Sequence, residues 1–144
     1  FVILPEMFCC PYQTENFPVY AEKEGGPSWQ AMSDYARKYH IYLIAGSMPE
    51  ADDVGKVYNT SYNFLTEMEN RLVSTEKAHL FDINVKNGQH FKESDTLTSG
   101  DHATVFDTEF GENGCHDLLR HPLPGVCPHN GTGRCKDDFR PGSI

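Results

Sequence analysis

The closing stretch EFGENGCHDLLRHPLPGVCPHNGTGRCKDDFRPGSI sets Cys115 between Gly114 and His116. A thiol in that position can be a nucleophile, a metal ligand or neither. Three earlier pieces, PEMFCCPY, EKAHLFDI and HFKESDTLTSGD, each place an ionisable residue at the mouth of a predicted strand or in a long loop; these are Glu6, Lys77 and Glu93. Carboxylates and an ammonium transfer protons and offset developing charge when a fold brings them together. Taken singly, each has a plainer explanation. Glu6 reads as a solvated strand end, Lys77 as one exposed charge of a hairpin, and Glu93 as part of a polar loop.

The elements that must position these groups follow from the patterning. FVILPE is a short apolar run stopped by proline, as at the end of a buried strand. CCPYQTENFPVYAEKEGG has no sustained period and reads as a loop of functional length. Pro27 suits the first turn of a helix whose apolar positions Trp29, Met32, Ala36 and Tyr39 follow three-and-four spacing, ending near His40. IYLIAGS is a continuous apolar run suited to a sheet covered on both faces. KVYNTSYNFLT and RLVSTEKAHLF, separated by TEMEN, predict a hairpin. Residues 82–102 read as polar loop, and ATVFDTEF as a further strand. Strand, helix and strand followed by antiparallel hairpins predict an α/β sandwich and not a bundle or barrel.

With 144 residues and 38% of them apolar, the chain has room for one core. A formal charge of -9 argues against nucleic acid or an anionic membrane surface as partner, and no apolar run is long enough to span a bilayer. Five cysteines, two of them adjacent at Cys9 and Cys10, are a poor start for a disulfide framework and fit a reducing compartment. The expected location is cytoplasmic, with a mitochondrial one as the alternative.

In this order the three pieces, together with GGPSWQAMSDYARKYHIYLIAGSMPE and KVYNTSYNFL, resemble the nitrilase, or carbon-nitrogen hydrolase, superfamily over Phe1 to about Gly111. PY after PE, HLFDI and F-x-ES look most like its ω-amidase branch, which hydrolyses the side-chain amide of small 2-oxo acids. The resemblance implies a partial α-β-β-α sandwich lacking the opening strand and helix. It implies Glu6 as general base, Lys77 as oxyanion stabiliser and Glu93 as the second glutamate that positions lysine and substrate. Tyr12 and Phe81 are then pocket residues, or simply core. A small-molecule amide is the implied substrate, homodimers the implied assembly of full-length relatives, and no cofactor or metal is implied. A catalytically dead binding or interaction protein on the same fold is the alternative.

The family's nucleophile is expected just past ATVFDTEF, in a segment that typically reads like GKIGVGICYDIRFPE. Cys115 does not match that motif. Regrouping the codons permitted from Glu112 onward by one base gives a reading that contains ICYDIRFPE. Residues 112–144 are therefore expected to be a family segment read out of frame and not natively folded, after a partial hydrolase domain over residues 1–111. On that reading the nucleophile's codon straddles Leu118 and Leu119, and this chain is inactive. The rival reading takes Cys115, His116, His121, Cys127, His129 and Cys135 as zinc ligands, but they contain no C-x2-C pair and their spacings match no zinc module. Asn59-Thr60-Ser61 and Asn130-Gly131-Thr132 match the glycosylation pattern and are expected to be silent.

Overall fold

The computed structural model describes residues 1–65, 71–85, 90–101, 104–108 and 111–115. Strand β1 (Val2–Ile3) leads through a turn, a 3-10 turn at Thr14–Asn16 and a short helix α1 (Phe17–Tyr20) to helix α2 (Pro27–Tyr39). Pro27 opens α2, and His40 ends it in the left-handed conformation, its N–H bonded back to the carbonyls of Ala36 and Arg37. The chain returns as β2 (Tyr42–Ile44), parallel to β1 with Val2 opposite Leu43. A parallel pair needs such a crossover, and the helix supplies it.

Strand β4 (Val57–Leu65) is the axis of the sheet. Along one of its edges lie β2 and β3 (Met48–Ala51), end to end, and along the other lies β5 (Arg71–Glu76), all antiparallel to it. The predicted hairpin therefore forms; its turn, TEMEN, lies outside the described residues. Residues 82–102, read as loop, contain a second hairpin, β6 (Asp82–Asn84) with β7 (His90–Lys92), and a 3-10 turn at Glu93–Asp95. Three-residue strands are too short to show alternation, which is why the sequence hid them. Strand β3 was hidden by Pro49, a residue tolerated at an edge because it donates no N–H there; its carbonyl instead accepts from Glu22 N at 3.2 Å.

The apolar run IYLIAGS divides between two faces. Leu43 and Ala45 pack with Met32 and Ala36 of α2 and with Met48, Tyr62 and Phe64. Tyr42 and Ile44 point the other way, against Val73 and Phe106 of β8 (Thr104–Thr108). The sheet is thus covered by helix on one side and strand on the other, as the α/β sandwich requires. Two expectations change. Phe1, Val2 and Ile3 are exposed at the edge of the sheet, not buried in its centre. Tyr39 does not join the helix's buried stripe; it stacks on Tyr35 in solvent, the two rings sharing a face at i, i+4.

Gly111–Cys115 forms β9, antiparallel to β8 with Cys115 opposite Thr104. The boundary expected at residue 111 thus falls at the start of a paired strand, and residues 116–144 lie outside the described residues. No helix among the described residues is long and apolar enough to cross a membrane.

Candidate active site

Glu6, Lys77 and Glu93 come from three separate segments and meet at one point. Glu6 follows β1, Lys77 follows β5, and Glu93 follows β7. Lys77 Nζ lies 2.9 Å from Glu6 Oε1 and 3.0 Å from Glu93 Oε2. All three are withdrawn from solvent, with side-chain exposures of 22% for Glu6, 8% for Lys77 and 0% for Glu93. A cation held between two carboxylates in this way is a strong departure from the exposed charges that the plainer readings supposed.

The backbone explains how each is aimed. The chain around Glu6 is clamped on the bend between β2 and β3. Ser47 N donates to Pro5 O at 3.4 Å, Met7 N to Ser47 Oγ at 3.0 Å, and Phe8 N to Ser47 O at 3.2 Å. Gly46 sits at φ +48, and a Cβ there would meet Pro5 O at 1.9 Å, so only glycine allows this approach. Met7 itself lies at φ 50 with its side chain buried, a conformation rare for a residue with a Cβ and held here by the surrounding bonds. Lys77 is fixed on both sides, its N–H donating to Asn59 O at 2.8 Å and its carbonyl accepting from Gly100 N at 3.0 Å.

Glu93 is satisfied on both oxygens. Phe81 N donates to Oε2 at 2.6 Å, Tyr12 donates its hydroxyl to Oε1, and Lys77 reaches both oxygens. Tyr12 is half exposed, stacks on Phe91 at 5.5 Å and meets Phe17 edge-on. Phe81 is partly buried and contributes through its backbone. Beneath them, Met7, Phe17, Val57 and Leu97 form a separate apolar cluster, so the polar cluster has a rigid floor.

The electrostatics keep Lys77 charged. Burial is the largest single influence and pulls its pKa down, but attraction and hydrogen bonds from Glu6 and Glu93 together outweigh it, leaving it above its ordinary value. The two described free thiols are the opposite case. Burial, with Cys10 and Glu22 adding repulsion, pushes the Cys9 thiol up to about 11, and burial raises Cys10 as well. Neither is a ready thiolate at neutral pH.

One residue of the cluster was missed in the sequence. Asn59 of β4, 2% exposed, donates Nδ2 to Glu6 Oε1 at 2.9 Å. Its signal was present, since Asn59, Ser61 and Asn63 put polar groups at alternate positions along the strand. The burial also answers the glycosylation motif at Asn59, whose amide is enclosed and engaged; Asn130 lies outside the described residues. Among the described residues no group of three His, Cys, Asp or Glu side chains is arranged to hold a metal. His116, His121, Cys127, His129 and Cys135 lie outside them, as does everything but the backbone of Cys115.

A sheet covered on both faces, with a lysine held between two glutamates at its strand ends, defines an α/β domain with a buried charged site. Residues 1–121 match the family described as carbon-nitrogen hydrolase, and the chain belongs to that family. An omega-amidase of Mus musculus is 47% identical over 133 residues, covering 90% of this chain and 48% of the relative. A hydrolase of Schizosaccharomyces pombe is 40% identical over 149 aligned positions, 99% of this chain and 44% of the relative. The crystal structure of a CN-hydrolase superfamily protein from Xanthomonas campestris, with an arsenic adduct in its active site, superposes with a TM-score of 0.65 at 21% identity; it covers 80% of this chain and 39% of that one. This chain spans about half the length of the curated relatives it matches.

Proposed function

We propose that this protein is an amidase of the ω-amidase type, hydrolysing the side-chain amide of small 2-oxo acids through a cysteinyl thioester without metal or organic cofactor. The observation that carries this reading is Lys77 Nζ held at 2.9 and 3.0 Å between Glu6 and Glu93 in a site shielded from water. The omega-amidase relatives support the choice of substrate class.

An amide carbon is a poor electrophile, so each partner has a task. Glu6 takes the proton of the attacking thiol, and the thiolate adds to the amide carbon. Lys77, kept as an ammonium, donates to the oxyanion of the tetrahedral intermediate. Glu6 then gives its proton to the nitrogen, ammonia leaves, and a thioester remains. Water attacks the thioester with Glu6 again as base, releasing the acid and the thiol. Glu93 holds Lys77 in place and lines the substrate site together with Tyr12 and Phe81.

In this reading Cys115 is not the nucleophile, and the chain as written lacks it, because the in-frame thiol falls at Leu118–Leu119. The nucleotide sequence around Gly111 decides whether a single-base change is present. Ammonia release from an ω-amide of a 2-oxo acid by this chain, abolished by Cys115→Ala, would refute the frame reading. Release by a frame-restored chain, in which position 115 is no longer cysteine, abolished by Lys77→Met, supports it. Micromolar binding of the amide by calorimetry, with no turnover in either chain, would favour a binding protein instead. The full protein is further proposed to act as a cytoplasmic homodimer, which equilibrium sedimentation and fractionation test.

A further inference from the structure

We infer that Asn59 is a positioning residue that fixes which oxygen of Glu6 faces the reacting atoms; the inference rests on the role of Glu6 as base. Lys77 Nζ and Asn59 Nδ2 both donate to the same oxygen, Glu6 Oε1, each at 2.9 Å. Among the described residues Oε2 receives no hydrogen bond. The carboxylate is thereby divided into one anchored oxygen and one left for proton transfer.

Asn59 is suited to the task in three ways. A carboxylate only accepts, so the amide must turn its NH2 to Glu6, and its orientation is settled by its partner. Its backbone carbonyl accepts from Lys77 N at 2.8 Å, so a single residue of β4 sets the base with its side chain and the cation with its main chain. Antiparallel pairing with β3 holds Asn59 opposite Pro49, and the ladder with β5 begins at the next residue, Thr60.

The arrangement also carries a cost, one that Asn63 of the same strand shares. With Nδ2 on Glu6, Asn59 Oδ1 is buried without a partner among the described residues. An unpaired buried carbonyl is unfavourable, and an apolar residue of similar shape would fill the position without it.

The test separates this inference from the amidase reading. In the 15N-Asn-labelled chain, with Asn59 assigned by its loss in Asn59→Ser, one Asn59 Hδ2 proton is expected to exchange with water roughly tenfold or more slowly than a free amide, as a bond to a charged acceptor implies. Glu6→Ala, which leaves Asn59 intact, is expected to abolish that protection. Protection unchanged in Glu6→Ala would overturn the inference, whatever the chain hydrolyses. In a chain that releases ammonia, Asn59→Leu is expected to lower kcat roughly tenfold to a hundredfold with KM within about twofold. Equal kcat, with only a lower Tm, would also overturn it. Absence of ammonia release from every chain counts against the amidase reading and leaves the exchange experiment to decide the role of Asn59.

Discussion

Replacing Lys77 by methionine removes the one cation from a cluster that holds two carboxylates. Glu93 is fully buried and Glu6 keeps 22% of its side chain exposed, so the Glu93 charge in particular cannot be returned to water without moving the backbone. Breaking a buried pair by deleting one partner costs about 3–5 kcal/mol, because the remaining charge is uncompensated. After the change Glu93 keeps the Phe81 N–H and the Tyr12 hydroxyl as donors, and Glu6 keeps the Asn59 amide. Neutral donors soften an isolated charge without cancelling it, so the expected loss is near the lower end, about 3 kcal/mol. In a domain of this size that corresponds to a fall in Tm of roughly 10 °C. The assay is urea unfolding followed through Trp29, the single tryptophan, which is partly buried and packs edge-on against Phe64 of the main core. A double-mutant cycle isolates the pair: Lys77→Met with Glu93→Gln should cost about 1–3 kcal/mol less than the sum of the single changes. A loss below about 1 kcal/mol for Lys77→Met, with additive behaviour in the double variant, would refute the picture of a buried cation bridging two ionised carboxylates.

Other expectations rest on different parts of the site. Gly46→Ala should cost several kcal/mol and disturb Glu6, since its Cβ would collide with the carbonyls of Pro5 and Leu4 at φ +48; thermal unfolding measures the first effect and ammonia release by the frame-restored chain the second. Tyr12→Phe keeps the ring stacks and removes one donor to Glu93, so a loss of about 1 kcal/mol in urea unfolding is expected. Stability should fall as pH rises from 9.0 towards about 11, because the Cys9 thiol ionises in the unfolded chain before it does in the folded one; Cys9→Ala should flatten that limb. Lys77, also raised, contributes stability that is fully present below its ordinary value of 10.5 and is lost only as the pH climbs past it.

Much of this was legible in the residues because it depends on neighbours in the chain. Pro27 and the three-and-four spacing of Trp29, Met32 and Ala36 specify α2, and nine residues rich in β-branched and aromatic side chains specify β4. Ordered motifs around Glu6, Lys77 and Glu93 were enough to indicate the family. Strands β3, β6 and β7 were not legible, since short runs carry no period and their pairing comes from partners far along the chain.

Local patterning was enough to specify the helix, the long strands and the residue types of the site. That Glu6, Lys77 and Glu93, separated by up to 87 positions, share hydrogen bonds, and that Asn59 belongs with them, follows from the folded sheet. Local propensity acts over a turn or a strand, whereas contact between groups so far apart exists only once the sheet is in register and its faces are covered. For the same reason the state of Lys77 could not be read from its letter, as its charge is set by two carboxylates that arrive from other strands.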